Sequence, residues 1–240
     1  MTRGAVRETG LPGSPPVVSV GRPPWWLIVA ALVLGCLVTA DLLSRGRLER
    51  MDLRVSEIVS DWGLKESPAY PVVWVITQLG GRVTILVVLT VLVGYLLWRR
   101  GTWLPVARVA LAVALLTAGV YAIKHGIGRT APAFPGSYLF HADGASFPSG
   151  HVANAVLMWG VARWQAVEYG LPPAVQRTFW WLSVAGPVAT GVAMVSLDFH
   201  WVTDAVVGGA VGILLLGVVH ALDAAVLSRY VRARADRPVA

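Results

Sequence analysis

The sequence predicts an all-α, polytopic membrane protein: a bundle of six transmembrane helices with its active site at the outer membrane face. Three observations predict it. Apolar residues come in long runs, not in the stripes of a half-buried surface helix, and the runs reach bilayer-spanning length. Charged residues make up 14% of the chain against 56% apolar, whereas soluble domains carry about a quarter charged. The basic residues gather at the ends of the apolar runs, where topology uses them. That placement also excludes nucleic acid as a partner, although the net charge of +7 invites it.

Residues 1–24 hold Gly, Pro and Arg without periodicity, the pattern of a disordered cytoplasmic tail. They do not read as a signal peptide, because the apolar run starts only at Trp25 and is too long for a signal core. The membrane domain then occupies residues 25–225, and residues 226–240 form a basic cytoplasmic tail. The first span covers Trp25 to Leu43, with Trp25 and Trp26 as interfacial anchors. Cys36 is the sole cysteine and lies inside this run, so no intramolecular disulfide forms and its role is packing.

Residues 44–68 are polar, yet Leu48, Met51, Val55, Ile58, Val59 and Trp62 recur at helical spacing. This predicts an amphipathic helix on the membrane surface, either a connector between spans or one lip of a lipid entrance. The second span runs from Tyr70 to Trp98, interrupted at Gly80-Gly81-Arg82 and stopped by Arg99-Arg100. The third runs from Leu104 to Ile123, followed by a polar, Gly/Pro-rich loop from Lys124 to Pro148. The fourth covers Ser149 to Trp164, the fifth Phe179 to Leu197 and the sixth His200 to Leu222. With both termini in the cytoplasm, twelve of the 20 Lys and Arg residues fall on the inner side, as the positive-inside rule favours. The Lys124–His151 loop and the His200 turn then share the outer face of a cell membrane.

Three polar islands therefore converge: Lys124 to Pro132, Phe147-Pro148-Ser149-Gly150-His151, and the turn carrying His200 and Asp204. Together they describe an anion site. Lys124 and Arg129 supply positive charge, Ser149 offers a hydroxyl, and the N–H groups of Gly150 and His151 open a helix, where phosphate binds readily. His200 and Asp204 are four residues apart, so a helix puts them one turn from each other. A carboxylate there can fix the imidazole tautomer that a nucleophile needs. His151 supplies a second histidine for proton transfer.

These islands resemble the membrane branch of the type 2 phosphatidic acid phosphatase / vanadium haloperoxidase superfamily, whose pattern is Lys–Arg-Pro, then Pro-Ser-Gly-His, then Ser-Arg with His-x-x-x-Asp. The resemblance covers residues 70–220 and rests on Pro148-Ser149-Gly150-His151 and His200-Trp201-Val202-Thr203-Asp204. It implies that His200 attacks phosphorus, that Asp204 holds His200, and that His151 protonates the leaving oxygen. Lys124, Ser149 and Gly150 would hold the phosphoryl oxygens. No metal or other cofactor is implied, and the sequence has no closed set of metal ligands.

The chain departs from the pattern twice. Ala131 stands where an Arg precedes Pro132, and Ala193-Met194 stand in place of Ser-Arg. Arg129 is the expected substitute for the first missing guanidinium, and Arg82, beside the glycine break, is the candidate for the second. Asp198 lies close enough in sequence to oppose a phosphate. The expected function is a membrane phosphatase acting on a lipid phosphate or diphosphate, such as phosphatidate, phosphatidylglycerol phosphate or a polyprenyl diphosphate. The alternative is a weakly active or inactive protein that binds or transports a lipid head group. A vanadate-dependent haloperoxidase does not suit a six-span chain with a weakened anion clamp.

Overall fold

The computed structural model describes residues 21–134 and 137–227, and every regular element among them is helical. Apart from residues 21–24 and 226–227, the two expected tails lie outside the described residues. In chain order the helices are α1 (Trp25–Leu43), α2 (Arg47–Asp61), α3 (Tyr70–Thr77), α4 (Arg82–Arg100), α5 (Leu104–Ile127), α6 (Gly150–Glu168), α7 (Pro173–Ser196) and α8 (Val202–Leu222). A short 3₁₀ turn, Leu64–Glu66, precedes α3, and a π-helical turn, Asp223–Leu227, extends α8. Proline in the first turn starts α3, α5 and α7, where its missing N–H goes unused. Left-handed glycines, Gly101 and Gly128, close α4 and α5.

Five of these helices are long and apolar enough to cross a membrane: α1, α4, α5, α7, and α8 with its π turn. The expected second span is divided at Gly80-Gly81, and α4 alone has spanning length. The expected fourth span is α6, which has 19 residues but is not among the five. Its position explains its composition. α6 packs against α4, α5, α7 and α8, so most of its surface meets protein, and Asn154 and Gln165 are buried within it. A helix shielded from lipid need not be lipid-like.

The contact of α6 with α8 brings the two histidine-bearing segments together. A Cβ on Gly208 would come within 2.5 Å of the Ser149 carbonyl oxygen, and one on Gly212 within 2.9 Å of the Ala153 oxygen. Small residues four apart let the two backbones touch, the usual device for close packing of membrane helices. The Ser149 N–H donates to the Asp204 carbonyl at 2.9 Å, joining the two helix N-termini directly.

α2 is a helix as expected, and the structure adds which of its side chains meet the protein. Glu49, Asp52 and Val59 are buried, while Met51, Leu53, Ile58 and Trp62 are exposed. Met51, Leu53, Ile58 and Trp62 point away from the protein, and two carboxylates point into it beside Val59. α2 is therefore more than a connector: it packs on α1, α7 and α8 and delivers acidic groups to the bundle.

Candidate active site

His200 lies in the turn between α7 and α8, two residues before α8 begins. Asp204 stands in the first turn of that helix, where a negative charge suits the helix dipole. Asp204 Oδ2 is 3.2 Å from His200 Nδ1 and accepts the Trp201 N–H at 3.2 Å and the Ser146 hydroxyl. A carboxylate beside Nδ1 makes that nitrogen the donor, so the lone pair of Nε2 is left for the cavity in front. The expected pairing of His200 with Asp204 is present, made across the start of the helix and not along it.

Behind Asp204 the charges continue. Arg129 Nη1 donates to Asp204 Oδ1 at 2.8 Å and to Thr203 Oγ1 at 2.7 Å, and Nη2 donates to Asp52 Oδ2 at 2.9 Å. Asp52 also accepts the Thr203 N–H at 3.1 Å and the Thr203 hydroxyl. The guanidinium lies 4.7 Å from the Trp201 ring centroid, in the range of a cation–π contact. Side chains of Asp52, Arg129 and Asp204 are all 0% exposed. Burial pushes the Asp52 carboxyl up from the usual carboxylate range, although its bonds to Thr203 and Arg129 act in the opposite direction.

In front of His200 is a cavity of about 390 Å³. His200, His151, Lys124, Gly150 and Asn154 line it, together with Arg82, Met194 and Tyr121. Among the described residues no carboxylate lines it. Lys124 Nζ donates to the Ala145 carbonyl and makes no direct ion pair with a carboxylate among the described residues. Two histidines, two cations and the first N–H groups of α6 thus face one space, a setting for a negatively charged group bearing several oxygens.

Two expected anion ligands are placed elsewhere. Arg129 does not line the cavity; its guanidinium is taken up by Asp52, Asp204 and Thr203 behind the histidine. The reason is that two buried carboxylates need a cation, and α2 supplies one of them. Ser149 is also fully buried and absent from the cavity wall. It caps α6, its hydroxyl accepting the Val152 N–H at 3.5 Å, as serine before a helix commonly does. Asp198 does not oppose an anion, because it turns outward to accept the Ser56 hydroxyl at 2.8 Å and the Ser60 hydroxyl at 3.4 Å. Sequence reasoning missed Asp52, Ser146 and Asn154. Among the described residues no group of three or more His, Cys, Asp and Glu side chains could hold a metal ion.

The model of the PAP2 superfamily matches residues 105–226, which include every residue of this arrangement except Asp52, Arg82 and the contacts of α2. The chain belongs to the PAP2 superfamily. Two curated PAP2-type relatives are similar to it. Phosphatidylglycerophosphatase B of Bacillus subtilis is 34% identical over 103 residues, 42% of this chain and 49% of that protein. Lipid A 1-phosphatase of Porphyromonas gingivalis is 36% identical over 112 residues, 44% of this chain and 21% of that protein. The matches thus span half or less of those relatives' length. A crystal structure of a transmembrane PAP2 type phosphatidylglycerolphosphate phosphatase from Bacillus subtilis superposes with a TM-score of 0.62 at 23% identity, covering 85% of this chain and 96% of that one. The PAP2 fold and the apolar helices make this an integral membrane protein.

Proposed function

We propose that this PAP2 protein is a membrane lipid phosphatase that hydrolyses a lipid phosphate or diphosphate through a phosphohistidine on His200. The observation that carries the reading is the cavity in which His200, His151, Lys124 and the N-terminus of α6 meet, with no carboxylate among the described residues that line it. The names of the relatives add lipid-linked phosphate as the substrate class.

In this mechanism the Nε2 lone pair of His200 attacks phosphorus and the bond from phosphorus to the lipid oxygen breaks. His151 gives its proton to that oxygen, and the lipid alcohol, or the lipid monophosphate from a diphosphate, departs. Asp204 stabilises the positive charge that develops on the imidazole. Lys124 and the Gly150 N–H stabilise charge on the phosphoryl oxygens. His151, now neutral, takes a proton from water, whose oxygen attacks the phosphohistidine; the P–N bond breaks and inorganic phosphate leaves. The Asp52–Arg129–Asp204 chain and the Ser149 cap act as positioning groups. No step needs a metal ion. With both termini in the cytoplasm, the site opens to the outer leaflet and the lipid tail stays in the bilayer.

The test is phosphate release by the purified protein in liposomes containing chelator, from phosphatidate, phosphatidylglycerol phosphate and undecaprenyl diphosphate, with His200→Ala beside it. Release that survives chelator and vanishes in His200→Ala is the expected result. No release above the mutant from any of the three would favour a lipid head-group binding protein, the reading that Ala131 and Met194 support.

A further inference from the structure

We propose that Arg82 is an anion-binding residue of this cavity, contributed by α4 to do what the guanidinium missing at position 194 would do. The assignment rests on reading the cavity as a phosphate site. Its first support is the place of Arg82 on its helix. It is the first residue of α4, where the helix dipole disfavours a cation. Arg99 and Arg100, at the other end, stand where the dipole favours them. A cation at the head of a membrane helix normally finds a carboxylate. Among the described residues Arg108, near the head of α5, is paired with carboxylates in this way, but Arg82 is not. Its hydrogen bond to Thr117 Oγ1, at 3.5 Å, is long.

The second support is position. Arg82 and Met194 line the same cavity as His200, His151 and Lys124. Met194 has no charge to offer an anion, so among the described residues the only guanidinium lining the cavity comes from α4.

The third support is that the backbone carrying Arg82 is fastened to the helix carrying His151. Asn154 Nδ2 donates to the Gly80 carbonyl at 2.9 Å, and Trp159 Nε1 donates to the Leu79 carbonyl at 2.8 Å. A Cβ on Gly80 would stand 2.5 Å from the His151 carbonyl oxygen, so only glycine lets the turn lie so close. This also accounts for the break in the second apolar run: it seats the head of α4 against the site. An arginine whose backbone is held in place loses less freedom on capturing a ligand.

The test is inorganic phosphate binding to the purified full chain in detergent, measured by calorimetry beside turnover of phosphatidate. Arg82→Gln should weaken phosphate binding and lower kcat/KM about 10- to 100-fold, the usual effect of losing a hydrogen bond to a charged partner. Arg82→Lys should fall between. Met194→Arg in the Arg82→Gln background should recover about tenfold or more, which a misfolded variant would not do. Phosphate binding and turnover that are both indifferent to Arg82→Gln would overturn the assignment while leaving the phosphatase reading intact. Phosphate binding that depends on Arg82 in a chain with no turnover would uphold the assignment and defeat the phosphatase reading instead.

Discussion

Each end of the helix bundle buries an arginine between two carboxylates and lays it on a tryptophan. At the cavity end Arg129 joins Asp52 and Asp204 over Trp201. At the far end Arg108 joins Asp223, at 2.8 Å, and Glu168, at 2.9 Å, with its guanidinium 4.1 Å from the Trp164 centroid. Each cluster also has a histidine beside it. His200 is hydrogen-bonded to Asp204, whereas His220 stacks on Trp164 at 3.7 Å between centroids and its Nε2 finds no hydrogen-bond partner among the described residues. The far cluster has an outlet, since the Glu168 side chain is 36% exposed; the cavity-end cluster is sealed. The same chemical motif therefore does two jobs. At the far end it ties α5, α6 and the end of α8 together. At the cavity end its last carboxylate holds the histidine that faces an open space.

The largest expected effect separates the two histidines. His200→Ala should reduce phosphate release to background, a loss of at least about 1,000-fold, because a covalent mechanism has no substitute for its nucleophile. His220→Leu should keep activity within about threefold, since replacing a buried group that touches no reacting atom is felt mainly in stability. If His220→Leu protein, with unchanged thermal unfolding, lost turnover as fully as His200→Ala, the division between the two ends would collapse.

The second contrast is between the outlying carboxylates. Asp52→Ala leaves Arg129 buried against a single carboxylate and frees Asp204 to shift, so kcat should fall about 10- to 100-fold, as when other partners that orient an active histidine are lost. Removing one member of a buried pair should also destabilise the protein by about 3–5 kcal/mol. Glu168→Ala, at a partly exposed site, should cost no more than about 1 kcal/mol and leave kcat unchanged. Turnover by liposome-reconstituted protein and thermal unfolding in detergent measure both effects. Equal losses of kcat in the two variants would show that both clusters are merely structural.

Asp52 is also where reading the sequence stopped short. The apolar runs gave away α1, α5, α7 and α8, because lipid-facing helices must be apolar whatever they pack against. The His200/Asp204 pair was legible from its spacing, and His151 from the Pro-Ser-Gly-His turn. Asp52 was not, because the apolar spacing of residues 48–62 predicts a helix on the membrane surface but not which of its polar side chains meet the bundle. α2 turns Met51, Ile58 and Trp62 outward and Glu49 and Asp52 inward. Arg129 looked like a phosphate ligand only while Asp52 was assigned to the surface. α6 shows the converse: its lower hydropathy reflects a helix wrapped by other helices, not a failure to belong to the bundle.

A third experiment asks what the charges are for. Buried ion clusters seldom stabilise more than well-packed apolar replacements would. Converting the far cluster together, as Arg108→Met, Glu168→Leu and Asp223→Leu, should be neutral or raise stability by up to about 4 kcal/mol, with activity retained. The matching change at the cavity end, Asp52→Leu with Arg129→Met, should also give folded protein, but with turnover lost because Asp204 no longer has its counter-charge. Retained turnover in that double variant would remove Arg129 from the positioning of His200.

The smallest effect tests how firmly α2 grips the His200 turn. Asp198 adopts a left-handed backbone, φ 55°, and accepts hydrogen bonds from Ser56 and Ser60 of α2. Asp198→Gly removes the hydrogen bonds but suits the backbone, whereas Asp198→Ala removes them and adds steric strain of about 1 kcal/mol. Ser56→Ala keeps the backbone and loses one bond, about 1 kcal/mol. If the grip matters through the bonds, Ser56→Ala and Asp198→Gly should shift thermal unfolding alike and lower kcat severalfold, with Asp198→Ala somewhat worse in stability alone. If the left-handed turn itself holds His200, Asp198→Gly should unfold like the native chain, and only Asp198→Ala should fall. A strap from α2 to the His200 turn is what the comparison predicts of an end that must hold one imidazole still.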